Sequence, residues 1–107
     1  MMAGMPDPVR DDGTELWAEI HPIYAAGRYA EAAERGREVL EVHPHPRVFY
    51  NVACCESLSG QTTDAIEHLR RAIELWEPCR EMAKQEPDFD PIREDPDFQA
   101  LIASPNP

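Results

Sequence analysis

The sequence predicts an all-α fold, a helix-turn-helix repeat array of two helix pairs closed by C-terminal capping helices, and three observations carry that prediction. Residues 27–42, GRYAEAAERGREVLEV, return thirty-three residues later as residues 60–75, GQTTDAIEHLRRAIEL, with Gly27 over Gly60, Ala32 over Ala65, Arg37 over Arg70 and Glu41 over Glu74. Each copy follows another stretch of helical apolar spacing, Leu16, Ile20 and Ile23 before the first and Phe49, Val52 and Ala53 before the second. A period of this length built from two helices marks arrays in which neighbouring units bury the face that one unit cannot cover alone.

The elements follow in order. Residues 1–10 hold three methionines, two prolines and a glycine without periodicity and read as a disordered N-terminal tail. A single domain then covers 11–107, with a first unit over 11–44, a second over 45–78 and a cap over 79–104. The first helix starts near Asp11 to Thr14, which supply capping side chains, and runs to Ala26 with a kink or fresh start at His21, because Pro22 removes a backbone donor. Gly27 makes the turn and a second helix covers 29–42. The His-Pro-His-Pro stretch 43–46 ends it, since the residue before a proline is pushed out of helical geometry. A third helix spans 47–59, Gly60 turns the chain, and a fourth runs over 62–76 with Thr62, Thr63 and Asp64 as possible caps. A short helix over 78–85 precedes two related phrases, EPDFDPIR and EDPDFQAL, the second opening a last helix at 96–103 with Asp95 as cap and Pro96 at its first position. Phe89, Ile92, Phe98, Leu101 and Ile102 are too apolar for a free tail and should fold back onto the fourth helix.

Composition bounds the function. The 42% hydrophobic content suits one small globular core. No apolar run approaches the roughly 20 residues of a membrane-spanning helix, and the N-terminus lacks the basic start and apolar middle of a secretory signal, so a cytoplasmic location is expected. Net charge is −11, from 21 acidic against 10 basic residues, which disfavours nucleic acid. Three cysteines, two of them adjacent, do not make a disulfide framework and read as reduced thiols.

The helix pairs resemble tetratricopeptide repeats, and the second copy carries the clearer match: the aromatics of Phe49-Tyr50-Asn51, a small Ala53, the turn Gly60, the packing alanines Ala65 and Ala72, and Pro78 closing the unit. The first shows Leu16, Gly27-Arg28-Tyr29, Ala32 and Pro44; Gly36 stands where Leu69 stands in the second, and Thr62 where Tyr29 stands in the first. The C-terminal DFDPIREDPDFQAL is similar to the closing segment of small bacterial proteins of this kind. The resemblance implies a scaffold whose stacked first helices form a concave surface that grips an extended peptide or a partner helix.

On a wheel of the third helix, Val48, Phe49, Val52 and Ala53 take one side, while Tyr50, Cys54 and Leu58 form a second stripe flanked by Arg47 and Asn51. The corresponding stripe of the first helix offers Trp17, His21 and Tyr24. These eight residues are the candidate partner-binding set. An asparagine at the place of Asn51 hydrogen-bonds peptide backbone in co-chaperone members of the family. The basic clamp those members use on a peptide carboxylate is not evident, since Arg47 alone is placed for it. Core packing is the stronger reading for Tyr24, and groove exposure for Tyr50 and His21. Glu56 falls on the core side between Phe49 and Val52 and must find donors, expected from Arg93 or the backbone near 89–92.

Candidate chemistry is sparse. Cys55 reads as core filling and Cys54 as the better thiol candidate; His43 and His45 could hold only a weak metal site, and His68 reads as solvated. Asp88, Asp90, Asp95 and Asp97 lack the central glycine and terminal glutamate of a calcium loop and read as caps. No phosphate loop or nucleophile elbow occurs, so neither an enzyme nor a cofactor is expected. A protein- or peptide-binding adaptor leads, followed by a homodimeric structural module. Burial of Tyr50 and Cys54 under another helix of the same chain would mean that no groove exists there, and would put the adaptor reading behind the self-associating one.

Overall fold

A computed structural model describes residues 14–103. It is all-α: α1 (Thr14–Trp17), α2 (His21–Ala25), α3 (Tyr29–Leu40), α4 (Pro46–Leu58), α5 (Thr62–Leu75), α6 (Cys79–Gln85), a 3-10 helix (Pro87–Ile92) and α7 (Pro96–Ala103), with no strand among the described residues. The expected tail 1–10 and the Asp11 cap lie outside the described residues. No described helix is long and apolar enough to cross a membrane.

Proline and glycine set the boundaries. Pro22 does more than kink the first helix: a turn at residues 18–20 separates α1 from α2, and Pro22 sits in the first turn of α2 where its missing N–H costs nothing. Gly27 and Gly60 adopt φ of 82° and 83°, the left-handed region that glycine enters without strain, and each reverses the chain between two helices. His45 caps α4 by accepting from the Arg47 N–H on Nδ1 (3.1 Å), so this imidazole serves the fold. None of the expected caps, Thr62, Thr63 and Asp64, is the N-cap of α5, which begins at Thr62; Gln61 is its N-cap residue and makes no side-chain cap bond.

Helix α4 is the axis of the molecule. It packs against α3 on one side and α5 on another, and the 3-10 helix lies across a third. Two apolar clusters share it. Val48, Val52 and Cys55 join Trp17, Ile20, Ala32 and Ala33, while Phe49, Tyr50, Ala53 and Cys54 join Leu69, Ile73, Phe89 and Phe98. A helix apolar on nearly every side needs cover on most of its surface, and residues 48–50 and 52–57 of α4 are buried.

Gly36 shows how close the first pair packs: a Cβ built there would lie 2.4 Å from Val52 Cγ2 and 3.0 Å from Trp17 Cζ3. That approach accounts for glycine where α5 carries Leu69. Polar ties then lock the helices together. Glu56 is completely buried, but its donors are not in the C-terminal segment. Arg37 Nε of α3 donates to Oε2 (3.2 Å) and His68 Nδ1 of α5 lies 2.7 Å from Oε1, so His68 is a partner of the core and not a solvated side chain.

Arg93 has a different task. Its guanidinium donates to the carbonyls of Lys84 (3.1 Å) and Glu86 (2.7 Å), satisfying acceptors that the end of α6 leaves open, and it lies over the Phe98 ring. Arg80 donates to the Leu101 carbonyl and so fastens α7 to α6. Asp95 caps α7 as expected, accepting from the Asp97 N–H at 2.8 Å.

Candidate functional site

The stripe expected to face solvent on α4 is sealed. Tyr50 is 4% and Cys54 5% exposed, against the expectation that both stand in an open groove. The cause is the 3-10 helix. Phe89, fully buried, meets Tyr50 edge-on with centroids 5.6 Å apart, and Ser57 Oγ donates to the Asp88 carbonyl at 2.7 Å, holding that segment along α4. The chain's own C-terminal segment therefore occupies the face on which an extended peptide was expected to lie.

A shorter depression of about 210 Å³ remains between α1, α2, α4 and the start of the 3-10 helix. It is lined by Trp17, His21, Tyr24, Asn51 and Cys54 from the predicted set, together with Glu86 and Asp88. Arg47, Leu58 and Tyr50 do not line it. Trp17 is mainly a core residue, buried with its ring against Gly36, although it also lines the depression. Tyr24 is half-buried; its hydroxyl donates to Asp88 Oδ2 at 2.7 Å and its ring stacks at a tilt between His21 and Tyr29. His21 is exposed and Asn51 half-buried, so of the five these two leave polar side chains open at the depression.

Glu86 and Asp88 are the residues that the sequence reading missed. Asp88 was assigned to capping, yet its carboxylate takes the Tyr24 hydroxyl, while Glu86 Oε2 accepts from the Asp88 N–H at 3.3 Å. The signal was present in the phrase Glu-Pro-Asp-Phe: a buried phenylalanine pins its acidic neighbours wherever it docks. They give the depression an acidic wall.

The bond to Asp88, burial and the neighbouring negative charges raise the Tyr24 pKa well above that of a free phenol. Burial does the same to Tyr50 and, first among its causes, to all three thiols: Cys54 well above 9.0, Cys55 to about 12 and Cys79 to about 11. Cys54 is accordingly a protonated core thiol at neutral pH, not the accessible nucleophile expected on a groove face. These groups hold protons in the native state that the unfolded chain releases from about pH 9 upward. Their contribution to stability is complete below that pH and is lost above it, with a limiting slope of about 1.4 kcal/mol per pH unit for each group. The urea midpoint of the reduced protein should thus fall between pH 8 and pH 10.5. An unchanged midpoint would mean that the thiols ionise equally in both states.

Among the described residues no group of three or more His, Cys, Asp or Glu side chains could hold a metal ion. Comparison with protein-family models, with curated proteins and with solved structures finds no match to this chain.

Proposed function

We propose that this chain is a protein-binding module of the tetratricopeptide type, and that its contact with a partner is the short depression around His21 and Asn51. The observation that supports this reading is the convergence of five of the eight sequence-selected residues, from α1, α2 and α4, on one depression with an acidic wall. A volume of about 210 Å³ suits one or two side chains of a partner and not a long extended segment. Asn51 supplies an amide that can donate to and accept from a peptide backbone, His21 an exposed imidazole, and Trp17 and Tyr24 apolar edges of the kind that anchor interfaces.

The test places a photo-crosslinking amino acid at Ala25, which is exposed and lies on α2 next to Tyr24, and compares crosslinked products in native cells with and without His21→Ala and Asn51→Ala together. The expected result is a discrete partner adduct that the double variant loses while its melting temperature stays within about a degree or two, since neither residue is core. An adduct equally strong in the double variant would refute a binding role for this depression.

A second reading, self-association, now stands ahead of the extended-peptide groove, because Tyr50 and Cys54 are covered. Three large apolar side chains favour it: Val42 is 71%, Leu75 47% and Trp76 45% exposed. A net charge of −11 on each copy opposes it. Sedimentation at low and high salt decides: a dimer that appears only when charge is screened would support this reading, and a monomer under both conditions would end it.

A further inference from the structure

His68 of α5 is fixed at one ring nitrogen and open at the other. Its Nδ1 lies 2.7 Å from Glu56 Oε1, and that carboxylate is completely buried and held on its other oxygen by Arg37. An ionised carboxylate only accepts, so in the neutral ring Nδ1 carries the proton and Nε2 keeps its lone pair. Among the described residues only the Tyr50 hydroxyl is a side-chain polar atom both buried and unpartnered. Nε2 makes no hydrogen bond, so it reaches solvent, in a side chain that is 22% exposed overall.

Asp64 stands one turn earlier on the same helix. It is exposed, and no described side chain pairs with it. Side chains four apart on a helix are neighbours, and the later one leans back toward the earlier, so the Asp64 carboxylate and the His68 imidazole share one patch. Arg71, the cation of that face, pairs with Glu74 at 3.5 Å and lies over the Phe49 ring. Leu75, 47% exposed, falls with Asp64 and His68 within about 40° of arc around α5, whereas the buried Ala65, Leu69, Ala72 and Ile73 take another side.

We propose that Asp64 and His68 bind a zinc-like divalent ion, and that a second copy of the chain completes the site with the same two residues. Proteins fix the tautomer and orientation of a metal-ligating imidazole with a carboxylate on its far nitrogen, and Glu56 already stands there. The imidazole selects a borderline transition ion over magnesium or calcium, which prefer oxygen throughout. Two ligands fill half of a tetrahedral shell, and among the described residues of one copy no third joins them. A twofold axis through the ion supplies the other half, two nitrogens and two oxygens in all, and turns the two α5 faces with their exposed Leu75 toward each other. The ion also cancels the two Asp64 charges, which lowers the repulsion that a net charge of −11 on each copy sets against association. Neither the depression around His21 and Asn51 nor apolar contact alone calls for a metal, so this inference goes beyond both readings above.

The test follows sedimentation of the full chain, stripped of metal by a chelator, on addition of zinc or magnesium chloride at low salt. Half an equivalent of zinc should convert monomer to dimer, magnesium should not, and chelator should reverse the change. Asp64→Asn alters an exposed side chain and should weaken the zinc dimer about tenfold or more with the melting temperature unchanged. His68→Asn leaves an amide N–H for Glu56 and deletes Nε2, so the folded variant should not dimerise with zinc. Glu56→Gln keeps both ligands but loosens the hold on the ring, and should weaken zinc binding about tenfold. Proton–nitrogen NMR of the imidazole should place zinc on Nε2 and the proton on Nδ1.

A chain that stays monomeric with zinc, zinc on Nδ1, or a zinc dimer as strong in Asp64→Asn would each overturn the proposal. So would a dimer lost in His43→Gln and kept in His68→Asn, which would put the ion at the His-Pro-His-Pro stretch. A metal-free chain that dimerises when salt is raised, and to which zinc adds nothing, refutes the metal site and leaves apolar self-association standing. A zinc dimer from a chain that salt leaves monomeric does the reverse.

Discussion

Cutting the chain after Glu86 is expected to abolish folding. The removed segment holds Phe89, Ile92 and Phe98, all buried, and the partly buried Leu101 and Ile102 that pack on the same cluster. At about 1.5 to 3 kcal/mol for each such side chain, the loss is of order 10 kcal/mol. A domain of this size has only about 5 to 15 kcal/mol to lose. Truncation also strips Tyr50 and Cys54 of their cover and leaves the end of α6 without the Arg93 guanidinium that satisfies its carbonyls.

Because an unfolded product is uninformative about cause, single replacements carry the argument. Phe89→Ala and Phe98→Ala should each cost about 3 to 5 kcal/mol in urea unfolding. Phe89→Leu, which keeps most of the volume, should cost under half of that. A truncated chain with unchanged helicity and melting temperature would show that the segment only rests on the surface.

Which parts of this were legible in sequence depends on the range of the interactions that decide them. Helix positions followed from local punctuation: Gly27 and Gly60 at positive φ, Pro22, Pro46 and Pro96 in first turns, and Asp95 as a cap. The 3-10 helix was not legible, because Pro87 and Pro91 deny it an α-helical pattern and only the docking of Phe89 fixes its course. The same docking explains the error at Tyr50 and Cys54. A helical wheel correctly separated two apolar stripes on α4, but a wheel says which residues need cover and not what supplies it. Here the cover is thirty residues or more downstream in the same chain. Glu86 and Asp88 entered the site by the same route, carried there as neighbours of Phe89.

The second large effect concerns the buried carboxylate. Burial of Glu56 was legible from its place between Phe49 and Val52, whereas its partners were not, since Arg37 and His68 reach it from two different helices whose register only packing sets. Removing one member of a buried pair costs about 3 to 5 kcal/mol when the charge left behind stays buried. The two members differ in that respect: the Glu56 side chain is 0% exposed and that of Arg37 34%.

Arg37→Met should therefore cost about 3 to 5 kcal/mol, because it strands the carboxylate with His68 as its remaining partner, and it also frees Gln61 Oε1, which now accepts from Arg37 Nη2 at 2.9 Å. Glu56→Gln should cost only about 1 kcal/mol, since the amide still offers an oxygen to Arg37 and the guanidinium can turn toward water. Glu56→Ala should fall between them, losing both hydrogen bonds and opening a small cavity. Urea unfolding of the three variants gives the order directly. Equal costs for Arg37→Met and Glu56→Gln would mean that the carboxylate reaches water in the native state. The expected order instead makes Glu56 the member that sets the demand: α3 and α5 are tied to α4 because each must send a donor to a charge that cannot leave.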